Sequence, residues 1–225
     1  MSRFLEFLQP TYFINCDDER IVELSQGIIG NENDPINKAV ALYYAVRDDF
    51  RYDPYGISMQ PEDFKATSIL VSKKGWCVSK AILLAACCRS VGIPSRLGFA
   101  DVSNHLSTER MRQMMKTDVF YWHGYTSLYL EDKWVKATPA FNIELCQKFN
   151  LKPLEFNGLE DSIYHEFDEL GNRHMEYLHN RGEYSDLPLD DLVQTFNEHY
   201  PTMAIAADDA NFDEDVASEN LRTQI

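Results

Sequence analysis

The chain has 225 residues, with 36 acidic against 21 basic side chains and a formal net charge of −15. That excess repels phosphate, so neither nucleic acid nor an anionic membrane is expected as a partner; the 44% hydrophobic and 12% aromatic content is that of a folded chain with one good-sized core. Five irregularly spaced cysteines make no disulfide framework, Met1–Pro10 lacks the pattern of a signal peptide, and no stretch approaches the ~18 apolar residues of a membrane span, so a reduced, cytoplasmic compartment is expected.

In chain order, residues 1–17 read as an extended arm or strand, since Pro10 opposes a long helix. Asp17 or Asp18 caps a short helix over 18–30, closed by Gly30. Asp34 caps a clearer helix over 34–49, with Pro35 in its first turn and an apolar stripe through Ile36, Ala39, Val40, Tyr43 and Val46. An aromatic loop, 50–61, and a short helix near 62–72 lead to Gly75-Trp76-Cys77. From Cys77 a helix runs inward with apolar residues on more than one face, and Gly92 and Pro94 end it. Residues 95–102 alternate as a strand. Residues 103–117 read as an insertion with one helix. Residues 119–141 read as a hairpin turning at Glu131-Asp132-Lys133, with Trp122, Thr126, Leu128 and Leu130 on one side and His123, Tyr125, Ser127 and Tyr129 on the other. A short helix over 142–150 follows. Charged and aromatic segments up to 186 read as a cap in which Tyr164, Phe167, Met175 and Tyr177 fold over the core. A last helix runs from Leu187 to Tyr200, capped by Asp186. The acidic stretch from 206 reads as a disordered, solvating tail. Helix followed by antiparallel strands is an α+β plan.

The chemistry converges on Cys77. A cysteine in the first helical turn meets free backbone N–H groups and the positive end of the helix dipole, both of which favour the nucleophilic thiolate. Packing is the plainer use of a lone buried cysteine, and a strand histidine such as His123 is as readily a satisfied core residue. Histidines 165, 174, 179 and 199 lack ligand spacing, so no metal or cofactor is expected.

Three pieces in order resemble the transglutaminase-like superfamily of papain-like cysteine enzymes. They are G-x-C on a helix ending R-x-x-G-I-P-x-R (Gly75, Cys77, Arg89, Gly92, Ile93, Pro94, Arg96), H-x-aromatic in a strand (His123, Tyr125), and a Trp-led strand ending in Pro (Trp134 to Pro139). The resemblance covers about 35–142. It implies a core helix packed on an antiparallel sheet over 35–142; around that core the residues themselves read as an arm and helix (1–34), a packed extension (143–205) and the tail (206–225). It also implies Cys77 as nucleophile, His123 as base and the Cys77 N–H as oxyanion donor, with Gly75, Trp76 and Tyr125 near the substrate. The family's usual aspartate is replaced by Thr138; Asn142 is the alternative third member. The reaction implied is acyl transfer through a thioester, with hydrolysis of a peptide or protein amide as the first choice and transamidation also open. An inactive relative that binds peptides is the alternative.

Overall fold

The computed structural model describes residues 4–104, 107–149, 151–163, 175–200 and 211–223. Its first helices begin where the caps dictate. Asp18 accepts from the Arg20 amide and starts α1 (Glu19–Ile29), which stops at Gly30 in a positive-φ conformation. Asp34 accepts from the Asn37 amide and starts α2 (Pro35–Asp49). The two-residue strand β1 (Arg51–Tyr52) lies parallel to β2 (Lys74–Gly75), with α3 (Ala66–Ser72) between them. Next comes α4 (Cys77–Ser90), buried from Cys77 through Arg89. Packing all round explains why it carries no single apolar stripe.

The main sheet has four antiparallel strands: β3 (Ser95–Asn104), β4 (Val119–Leu130), β5 (Lys133–Ala137) and β6 (Met175–Tyr184), in the order β5-β4-β3-β6. The β4–β5 hairpin turns through Glu131 and Asp132, both at positive φ, as a two-residue primed turn requires. Helix α4 lies between this sheet and α1, α2 and α3. Thr126 Oγ1 donates to the Ala81 carbonyl at 2.8 Å, so the face of β4 that carries Thr126 and Leu128 is the one against α4. Each fully buried Leu or Ile in this layer contributes ~1.5–3 kcal/mol.

The remaining helices are α5 (Glu109–Met115), α6 (Ile143–Lys148), α7 (Leu189–His199) and α8 (Phe212–Thr223).

Several expectations change. The N-terminal arm is neither strand nor fully extended: Leu5–Phe7 forms a single 3-10 turn. Residues 175–184, expected in a cap, are the edge strand β6; the Tyr164 and Phe167 of that cap lie outside the described residues. Asp186 does not cap α7, because its carboxylate accepts from the Phe13 amide at 3.4 Å and Pro188 holds the cap position. Most of the expected disordered tail is the helix α8; residues 206–210 lie outside the described residues. Phe212 and Val216 are buried, with the Phe212 ring against Tyr52, Tyr55 and Phe149. Asp213 pairs with Arg51 and Lys148, and Asp215 with Arg110. Partners distant in sequence supply what the local composition lacks.

Candidate active site around Cys77

The start of α4 is built by its neighbours in the chain. Ser79 Oγ accepts from the Trp76 amide at 2.9 Å, half of a capping box. A side chain on Gly75 would strike that hydroxyl at 2.3 Å, so the turn into the helix requires glycine. Lys80, one turn further, is fully buried and donates to the carbonyls of Arg47, Phe50 and Ala140 at 2.9, 2.6 and 2.7 Å. Burial pulls its pKa down to about 7, while three acceptors match the three N–H bonds of the ammonium form. The loop after α2 and the loop after β5 are thereby fastened to one helix. Asn142 joins them again, because its Oδ1 accepts from the Tyr52 amide at 3.1 Å.

Cys77 is 5% exposed. Its sulfur meets the backbone N–H of Gly124, in β4, as well as those of Val78 and Cys77 itself. Gly124 makes this approach possible: a Cβ there would lie 2.9 Å from Val78 Cα and 3.2 Å from Val78 N. Sequence reasoning missed Gly124; the signal available was a glycine inside a strand directly after His123, which marks a close backbone approach. The thiolate expected from the helix start is not the resting form. Burial pushes the Cys77 thiol up to about 11, and the three N–H groups recover only part of that shift. Desolvation here outweighs the helix terminus.

The sulfur opens on a narrow apolar cleft lined by Ile57, Met111, Met115, Phe120, Phe196 and Tyr200 among others. Trp76 lines this cleft and also a second, more polar one on its other side, which contains Gly75, Asp53, Asp63 and Lys74. Of the two neighbours of Cys77 expected near substrate, Trp76 lines the cleft that Cys77 lines, and Gly75 lines only the second one.

His123 is 6% exposed and pairs in register with Ala100, which packs with Val102 and Met175 on the sheet face away from α4. His123 lines a separate small cavity with Thr138, Phe141, Leu154, Ile163 and Met175. His123 and Cys77 line different cavities, while the residue after His123, Gly124, brings its N–H to the sulfur. Thr138 is beside His123, where a third member belongs. Its hydroxyl is buried and makes no hydrogen bond among the described residues, while its amide donates to the Ser162 carbonyl at 2.8 Å. Asn142, committed to Tyr52, lines neither cavity. Tyr125 lies away from the cleft, over Gly98 on the far face of the sheet, with its hydroxyl 3.3 Å from Glu183. Residues alternate along β4, so Tyr125 follows His123 to that face rather than Gly124 to α4.

Trp122 packs on Phe99 in the main core, with the side of β4 that carries Leu128, although the ladder is irregular there. Trp122 has a φ of +60, and β3 is bulged between Ala100 and Val102. Its amide is taken by Asp101 Oδ1 at 3.1 Å and its indole N–H by Thr195 at 3.0 Å.

Among solved structures, the chain is similar to a candidate cysteine protease from Cytophaga hutchinsonii, at 16% identity and a TM-score of 0.48, covering 82% of this chain and 55% of that one. It is also similar to an arylamine N-acetyltransferase from Mycobacterium abscessus, at 14% identity and a TM-score of 0.40, covering 59% of this chain and 46% of that one. The chain thus spans about half the length of these proteins. No curated protein matches it. No described helix is long and apolar enough to cross a membrane. A profile of the transglutaminase-like superfamily matches residues 22–139, more than half of the sequence, from within α1 to just past the end of β5, and the chain belongs to that superfamily.

Proposed function

We propose that this protein is a cysteine acyl-transfer enzyme that hydrolyses an amide through a thioester on Cys77. The observation that carries the reading is the position of Cys77 within the family match: first residue of α4, sulfur against the Gly124 N–H, with His123 the preceding residue of the same strand. Cys77 Sγ attacks the carbonyl carbon and a C–S bond forms. The C–N bond then breaks, and His123 relays the thiol proton to the leaving amine. Water next attacks the thioester, releasing a carboxylic acid and restoring the thiol. Backbone N–H groups at the start of α4 and at Gly124 would hold the oxyanion.

The test is hydrolysis of acyl 4-nitroanilides with mass-spectrometric trapping of the acyl-enzyme. Cys77→Ala and His123→Ala are each expected to lower kcat/KM by ~10³-fold, with the trapped acyl group on Cys77 alone. Turnover undiminished in Cys77→Ala would remove Cys77 from the chemistry. A second reading, a binding module that has lost catalysis, is favoured by Thr138 and by the raised Cys77 pKa; it predicts no acyl-enzyme with any substrate.

A further inference from the structure

The two clefts that flank Trp76 differ in kind. One contains Asp53, Asp63 and Lys74. The other, into which the Cys77 sulfur opens, is lined by apolar and aromatic residues and by no charged side chain, although the chain carries a net charge of −15. Besides Tyr52 and the Trp76–Cys77 start of α4, its walls come from the loop after β1 (Ile57), the start of β4 (Phe120), α7 with the residue after it (Phe196, Tyr200) and α5 (Met111, Met115). The two methionines lie four residues apart, on one face of α5, and both are buried. Methionine is the side chain best able to re-pack around groups of different shape. Tyr200 turns its polar end out of the cleft, since its hydroxyl donates to the Val119 carbonyl at 2.7 Å and accepts from the Tyr121 amide at 2.8 Å. Apart from the sulfur, the N–H groups around it and the polar tips of Tyr52, Trp76 and Tyr121, the cleft offers a ligand uncharged, largely apolar surface.

We infer that this cleft is the acyl-group subsite of the protein, that it takes an uncharged aliphatic or aromatic acyl chain, and that Met111 and Met115 set which chain fits. The inference rests on the proposed reaction for its orientation, because the sulfur at one end of the cleft fixes where the carbonyl lies. It also requires α5 to shift, since the cleft as it stands is narrow. In the structure α5 is tied to α8 and to Tyr55 by polar contacts. Thr108, the cap of α5, shares a 2.6 Å hydrogen bond with Tyr55, whose hydroxyl also donates to Asp215 at 2.8 Å. Arg110 pairs with Asp215 at 2.7 Å, and the Glu109 amide donates to Glu219 at 2.7 Å. The roof of the cleft is thus fastened by surface polar contacts, while its underside is apolar. A charged acyl group entering there would lose its hydration with no partner to replace it.

The test separates binding from chemistry. Cys77→Ala protein labelled with 13C-methyl methionine is titrated with hexanamide, phenylacetamide, 6-aminohexanamide and succinamic acid. The expected result is saturable shifts of the Met111 and Met115 methyl signals with the first two amides and none with the charged pair. Met115→Glu is expected to weaken hexanamide at least tenfold, and Met115→Leu to change it less than threefold. Methyl signals that ignore the apolar amides, or respond equally to the charged ones, would overturn the subsite. Nitroanilide turnover that favours charged acyl groups would overturn it too while leaving the reaction standing; apolar binding without turnover would keep the subsite and sink the reaction.

Discussion

Each end of α4 is fastened by one buried cation, Lys80 near its start and Arg89 near its stop, but only the start also meets an apolar cleft. At the C-terminal end, polar chemistry locks the helix. The Arg89 guanidinium is buried and donates to the carbonyls of Ser95 (2.7 and 3.0 Å), Gln9 (2.7 Å) and Ser185 (2.6 Å). Gly92 turns at positive φ, and Arg96 lies 3.9 Å over the Trp134 ring while pairing with Glu183. At the N-terminal end the helix meets a backbone amide, a neutral thiol and an apolar cleft. The R-x-x-G-I-P-x-R signature that identifies the family is therefore architecture. It fixes the chain at the far end of the helix so that Cys77 can be left with few polar partners.

Breaking that contrast should give unequal effects. The largest belongs to Arg89→Ala, which strips donors from the buried Ser95 carbonyl and the part-buried Gln9 and Ser185 carbonyls and is expected to cost about 3–5 kcal/mol in urea unfolding. Cys77→Ala should cost about 1 kcal/mol or less while abolishing any acyl-enzyme; a Cys77→Ala protein as unstable as Arg89→Ala would refute the division of labour. Gly124→Ala sits between them. Its Cβ must push Val78 backbone from 2.9 Å, at an expected ~1–3 kcal/mol, with the loss appearing in α4–β4 hydrogen exchange.

Two further outcomes sharpen the comparison. Thr138→Asp would place a carboxylate beside His123 and stabilise the imidazolium; nitroanilide turnover is expected to rise roughly tenfold, and an unchanged rate would exclude position 138 from the mechanism. The smallest effect concerns pH. The Cys77 thiol is raised from 9.0 to about 11 by burial, so between those values the folded state holds a proton that the unfolded state has released. That contribution to stability is complete below pH 9 and is lost as pH rises through about 11. Iodoacetamide labelling of Cys77 should accordingly be slower than that of a free thiol at pH 8 and climb about tenfold per pH unit toward pH 11. Fast labelling at pH 7 would mean that the cleft opens to a thiolate form.

Much of the framework was legible because its signals are local. Asp18 and Asp34 cap their own helices, Pro35 and Gly30 bound them, and the Val119–Ala137 hairpin turns at two residues that accept positive φ. Cys77, His123 and Thr138 were legible through the motif, and the last two do share a cavity. Asn142 was not readable in the same way, because its partner, Tyr52, is 90 residues away. Tyr125 was misjudged because the pleat of β4 sends it with His123 to the far face. Gly124, between them, stands in no motif, although its missing side chain is what lets α4 touch the sheet.

By itself, then, the sequence determined the helix from Cys77 to Ser90, its stop, the hairpin beside it and the family. Each of these is written within a few residues as caps, turns and alternation. Tertiary structure alone decided that Met175–Tyr184 is an edge strand, that the acidic C-terminal segment is a docked helix, and that Cys77 rests as a thiol. The reason is common to all three. An edge strand needs β3 to pair with, α8 needs Arg51, Arg110, Lys148 and the Tyr52–Tyr55 rings, and a thiol's acidity depends on the side chains that exclude water from it, none of which are its neighbours in the chain.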